Sequence, residues 1–152
     1  MKVLAILQNQ WFRDPDRVRA FIERRPELRR NFIRRALFSG CRTGRILKTA
    51  LGEEWCRKIV WEEASPEIGG QASSRFRADT RHILDVVVEV QPTVILALGK
   101  IASDAVNSLC PIHRLTPPAT IINIITAPHP TARGMDTLRL LRDVRALLDK
   151  MV

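Results

Sequence analysis

Apolar runs and stretches of helical periodicity alternate along this chain, and the alternation predicts strand and helix in turn. Val3 to Leu7 is a short, unbroken apolar run and reads as a first strand. Asp14 to about Phe38 has helical character, interrupted ahead of Pro26 because proline disfavours helical geometry in its predecessor. Gly40 to Gly44 reads as a break, and Arg45 to Leu51 as a short helix stopped by Gly52. Arg57 to Glu62 is a second, weaker strand. Ser65 to Ser74, with Pro66 and the Gly69–Gly70 pair, is a loop. From Ser74 to Val90 the residues Phe76, Ile83, Leu84, Val87 and Val88 share one side of a helix. Thr93 to Leu98, beyond Pro92, is the clearest strand, and Gly99 turns the chain into a helix over Ile101 to Leu109. A strand over Thr120 to Thr126 and a helix over Asp136 to Met151 complete the pattern. Four strands with intervening helices predict an α/β fold, a three-layer α/β/α sandwich around a four-stranded, mainly parallel sheet. With no internal repeat or low-complexity tract, residues 1–152 read as a single domain.

The last strand leads into the most suggestive segment. Ala119 to Thr126 is β-branched and apolar, as expected of a strand buried on both faces, and it runs into Ala127-Pro-His-Pro-Thr-Ala-Arg-Gly134. Open α/β sheets bind ligands at the carboxyl ends of their strands. Prolines on both sides of His129 restrict the backbone there and hold the imidazole in place. The plainer alternative is a connecting loop in which His129 only caps a neighbour.

Composition narrows the partner. Hydrophobic residues make up 45% of the 152 and charged residues 27%, as in a globular domain. The net charge of +9 favours an anionic partner, nucleic acid first and a membrane surface second. No apolar run approaches the ~20 residues of a membrane span, and Lys2 leads straight into the first strand without a signal peptide. Cys41, Cys56 and Cys110 are too widely spaced to indicate a disulfide framework or a zinc site, so a cytoplasmic protein is expected. His82, His113 and His129 are similarly scattered and suggest no metal site.

The position of the charge matters more than its total. Twelve Lys or Arg and four Asp or Glu lie between Arg13 and Lys48, which places +8 of the +9 in that segment. The doublets Arg24-Arg25, Arg29-Arg30 and Arg34-Arg35 recur every five residues and therefore advance around a helix. A solvated helix face is the ordinary explanation. Guanidinium forks, however, match phosphate geometry in a way that ammonium groups do not, which favours nucleic acid, with Arg29 and Arg30 among the contacts.

The order of these landmarks resembles the uracil-DNA glycosylase superfamily. Gly40-Cys-Arg-Thr-Gly-Arg-Ile-Leu47 is similar to its Gly-x-x-Gly-x-x-Leu segment. Ile95-Leu-Ala-Leu-Gly-Lys-Ile-Ala-Ser-Asp-Ala105 is similar to its "ALG" turn from strand to helix. His129-Pro-Thr-Ala-Arg-Gly134 resembles its His-Pro-Ser loop, with threonine in place of serine. The likeness spans essentially the whole chain, and its strength lies in the order of the pieces rather than in any one of them. It implies excision of uracil or a modified pyrimidine from single- or double-stranded DNA by base flipping, by a monomer without a metal or organic cofactor. The cysteines lack the pattern of the iron–sulfur branch, so no cluster is expected.

Roles follow from the resemblance. The family's water-activating residue falls on Asn9 or Gln10, in a Gln8-Asn-Gln-Trp-Phe12 loop that departs from the family's glycine-initiated, proline-containing one. An amide can position a water but cannot take its proton. Trp11 and Phe12 would stack on the extruded base, with ordinary core packing as the alternative. No base-reading asparagine ends the second strand; Trp61 or Glu62 falls near that place, Glu62 as a substitute carboxylate or a solvated strand-end charge. His129 would hydrogen-bond the leaving base. Thr131 and nearby amides would grip phosphates, with Arg133 as the wedge. Gly40, Arg42, Thr43, Gly44 and Lys100 would add DNA contacts. Two alternatives stand beside this reading: a non-catalytic DNA-binding relative, and an enzyme cleaving a free nucleoside, for which a concentrated basic region has no use.

Overall fold

The computed structural model describes residues 1–8, 12–69, 77–109 and 122–152. Four strands, β1 (Val3–Leu7), β2 (Val60–Glu63), β3 (Val94–Leu98) and β4 (Asn123–Ala127), form one all-parallel sheet in the order β2-β1-β3-β4. In register, Ile6 stands between Glu62 and Ala97, and Leu98 pairs with Ala127. β1 and β3 are inner strands, and every residue in them is buried. That is why they are unbroken apolar runs rather than alternating ones.

Seven helices cover the two faces among the described residues: α1 (Pro15–Arg24), α2 (Arg29–Phe38), α3 (Arg42–Leu51), α4 (Glu53–Lys58), α5 (Thr80–Val90), α6 (Lys100–Ser108) and α7 (Thr137–Met151). Strand side chains alternate between faces. Ala5, Leu7, Trp61, Leu96 and Leu98 therefore pack against α3, α4, α7 and the end of α2. Leu4, Ile6, Ile95 and Ala97 pack against α5 and α6. The result is the three-layer α/β sandwich. Helix starts are set by short side chains: Asp14, Asp79 and Asp136 accept from the amides of Arg17, His82 and Arg139 at 3.0–3.1 Å.

Several boundaries differ from the sequence pattern for physical reasons. The expected break at Pro26 is a 3₁₀ turn, Pro26–Leu28, between α1 and α2. Arg57 and Lys58, expected in a strand, belong to the last turn of α4, where their charge complements the helix dipole; β2 begins at Val60 and extends to Glu63. In α5, Val86 is buried and Val88 is 51% exposed, the reverse of the expected face at that turn; Phe76 lies outside the described residues. β4 is the sheet edge rather than a strand buried on both faces, with Asn123 and Thr126 exposed.

Gly44 is not part of a break. It lies inside α3 where that helix crosses α2, and a Cβ built there would sit 1.8 Å from the Leu37 carbonyl oxygen. Cys41 caps α3 through its sulfur, which accepts from the Gly44 amide at 3.3 Å and donates to Leu37 O at 2.9 Å. Gly44 is thus buried, with its N–H occupied, and is not the DNA-contacting glycine expected from the sequence. Overpacking typically costs about 1–3 kcal/mol, and here the obstacle is backbone, which cannot rotate away. Gly44→Ala is expected to lower stability by at least that amount, read as a reduced urea midpoint with an unchanged m-value; an unshifted midpoint would show that the crossing is not close-packed.

Candidate functional site

All four strands are parallel, so their carboxyl ends share one side of the molecule. The chain leaves β1 for the outer position of β2 and then returns past β1 to β3, so the winding reverses between β1 and β3. Loops diverging at such a reversal leave a crevice. Gln8 directly follows β1, Gly99 directly follows β3, and His129 comes two residues after β4. The three converge. A Cβ on Gly99 would stand 3.1 Å from the His129 Cβ and 3.7 Å from Gln8 Oε1. Gly99 also has φ +96°, a conformation nearly confined to glycine.

Two cavities meet at this point. One, of about 860 Å³, opens toward α2 and α3, with Leu7, Phe12, Arg13, Leu37, Gly40 and Thr43 in its wall. The other, of about 660 Å³, opens along α6, with Lys100, Ser103, Asn107 and Met135 in its wall. Gln8, His129 and Thr131 line both.

The His129 ring is oriented by Thr131. The Thr131 amide donates to Nδ1 at 3.3 Å, and its hydroxyl lies 2.9 Å from the same nitrogen. An amide can only donate, so Nδ1 accepts and the proton of the neutral ring sits on Nε2. Partial burial lowers the imidazole pKa, which keeps the ring neutral at pH 7. The turn is closed by the Ala132 amide on His129 O at 2.9 Å and joined to α7 by the Thr137 hydroxyl on Pro130 O at 3.2 Å. His129 is therefore a fixed, neutral hydrogen-bond donor. Thr131 is not free to grip phosphate as expected, because its amide and hydroxyl both serve the ring.

The remaining expected residues divide clearly. Phe12 lines the larger cavity, its ring 5.7 Å from that of Phe32. Gly40 and Thr43 line the same cavity; Arg42 is exposed at the start of α3, and Arg133 is exposed beside Ala132. Lys100 lines the smaller cavity and pairs with Asp104 at 2.6 Å, an exposed ion pair that a ligand can displace at little cost. Asn9, Gln10 and Trp11 lie outside the described residues.

Trp61 and Glu62 do not read a base. Trp61 is 2% exposed, donates from its indole to Cys56 O at 2.9 Å and meets the Phe38 ring edge-on at 5.3 Å. Glu62 projects to the opposite face and is 1% exposed, so it is not a solvated charge either. Burial opposes its ionisation, but the His82 ring at 3.6 Å, Arg29 at 2.6 Å and the Glu63 amide at 3.0 Å outweigh that and carry its carboxyl down to about 2. Arg30 bridges Glu62, at 3.4 Å, to Glu89 on α5, at 2.5 Å. Arg29 and Arg30 are consequently structural ion-pair partners, not the phosphate contacts that the doublet pattern suggested.

Sequence reasoning passed over four residues. Gln8 forms the floor of the crevice. Ser103 and Asn107 follow Lys100 at helical spacing, and that polar stripe along α6 was a usable signal. Glu63 is the fourth. Two successive glutamates ending an apolar strand must face opposite sides of the sheet, and Glu63 takes the side of its register partner Leu7. Burial and the neighbouring Glu62 charge push its carboxyl up to about 8. Among the described residues, no group of three or more His, Cys, Asp or Glu is arranged to hold a metal, and no helix is long and apolar enough to cross a membrane.

Neither protein-family models, nor curated proteins, nor solved structures provide a significant match to this chain. The fold is a three-layer α/β sandwich with a crevice at its strand ends, and any functional reading rests on the residues themselves.

Glu63 imposes a distinctive pH dependence. Its carboxyl ionises near 4.5 when unfolded and about 8 when folded, so between these values the native state holds the extra proton. Stability therefore falls as pH rises through that window. Glu63→Gln is expected to remove this contribution, measured as the difference in urea midpoint between wild type and variant from pH 4.5 to 8, in which the opposing titration of His129 cancels; a difference that does not change with pH would contradict a neutral Glu63.

Proposed function

We propose that this protein is a DNA base-excision glycosylase that hydrolyses the N-glycosidic bond of uracil or a modified pyrimidine after flipping it from the strand. The observation that carries the reading is the neutral imidazole of His129, fixed over Gly99 between two cavities at the strand ends. As the bond breaks, negative charge gathers on the base. A prepositioned Nε2–H stabilises that charge without reorganising at the moment of reaction. The larger cavity admits a pyrimidine, with Phe12 as the aromatic wall on which it stacks. Gln8 holds water or the base edge beside the imidazole. Exposed arginines on α2 and α3 supply the affinity for a polyanion.

A second reading, a DNA-binding relative without catalysis, is supported by the same crevice. Asn9 and Gln10, on which the resemblance places the water-activating residue, both carry amides, and an amide cannot take the proton. The mechanism proposed is accordingly dissociative, driven by leaving-group stabilisation.

Incubation with single- and double-stranded oligonucleotides carrying uracil, hypoxanthine or 5-hydroxymethyluracil, followed by alkali, tests the reading. Strand breakage is expected on at least one pyrimidine lesion. His129→Ala is expected to reduce the excision rate ~10²–10³-fold, the usual cost of losing a donor to a developing anion. Salt-sensitive DNA binding without breakage on any substrate would replace the enzyme with the second reading.

A further inference from the structure

The arginines of the basic segment are not equivalent. Arg19 pairs with Asp16, Arg25 with Glu27, and Arg29 and Arg30 with Glu62 and Glu89. Arg34 and Arg35 on α2 and Arg42 and Arg45 on α3 are all exposed and have no ion-pair partner among the described residues. All four are borne on the two helices that cross closely at Leu37 and Gly44. Each stands within three residues of that crossing, roughly 5 Å along its helix axis. The crossing borders the larger cavity, because Leu37, Gly40 and Thr43 line it together with Arg13, another exposed arginine.

Four like charges on two packed helices, with no ion-pair partner among the described residues, favour an external polyanion. The groups are guanidiniums, suited to bidentate phosphate contacts. Among the described residues, the exposed large apolar side chains are Met1, Val88, Met135, Leu147, Met151 and Val152, none of them on α1, α2 or α3, so this surface is charged rather than apolar. We propose that Arg34, Arg35, Arg42 and Arg45 form the track that holds the phosphates of a polynucleotide while one of its bases occupies the larger cavity. The inference rests on the glycosylase or DNA-binding reading and deepens it: the ligand is a polymer gripped away from the reacting nucleotide, not a free nucleoside.

The test compares two charge-matched variants of the full chain. One carries R34Q, R35Q, R42Q and R45Q; the control carries R57Q, R81Q, R142Q and K150Q, four exposed cations borne on helices other than α2 and α3. Binding of a 20-nucleotide single strand and of its duplex is measured across salt concentrations, with thermal unfolding to confirm that both variants are folded. The first variant should lose about 3 from the slope of log affinity against log salt and bind roughly 10²-fold more weakly at physiological salt. The control should change far less. Equal losses in the two variants overturn the track while leaving the DNA reading intact. No DNA binding by the unaltered chain, or binding only to vesicles of anionic lipid, overturns the functional reading itself.

Discussion

Glu62 is a charged side chain enclosed in an edge strand, and the arrangement around it fixes much else. Removing one partner from a buried ion pair typically costs about 3–5 kcal/mol, because the other charge is left uncompensated. α2 must therefore lie over the β2 edge with Arg29 and Arg30 at its start, and α5 must bring His82 and Glu89 to meet them. Once the first turn of α2 is pinned there, its last turn reaches Leu37, where α3 crosses at Gly44. The wall of the larger cavity and the exposed arginines both descend from that placement. The same strand end puts Glu63 on the other face, so that one glutamate is held ionised and its neighbour neutral by position alone.

The crevice uses a different economy. Gln8, Gly99 and His129 belong to three separate segments, and only parallel strands with a winding reversal bring them together. Glycine at position 99 lets the imidazole loop settle against β3, and Thr131 turns the ring so that its proton faces away from its own backbone. Gln8 and His129 are thus borne on loops, while the inner strands that position them are closed apolar runs.

Much of this was legible in the sequence. The inner strands are continuous apolar runs, and the aspartates ahead of α1 and α7 mark real helix starts, whereas α5 begins at Thr80, capped by Asp79, rather than at Ser74. His129 between two prolines does stand at a strand end. What failed had identifiable causes. Arg57 and Lys58 are compatible with either a strand or a short helix, and tertiary packing decided for the helix. Gly44 looked like a loop residue because a glycine required by helix-to-helix contact has the same local signature as one required by a turn. Charge counting could not separate Arg30, committed to Glu62 and Glu89, from Arg34, committed to nothing, because the acidic partners are distant in the chain. Trp61 was expected to meet a ligand, yet its indole is satisfied by a backbone carbonyl five residues earlier.

α1 contributes no buried residue. Its attachments include the stack of Phe21 on Phe32, which in turn contacts Phe12, and the Arg19 guanidinium on Ile68 O at 3.2 Å. A helix so lightly held opens by local fluctuation at a small fraction of the global unfolding energy. Phe12 is both the end of that aromatic row and part of the cavity wall, so the larger cavity is bounded on this side by a contact that belongs to neither core.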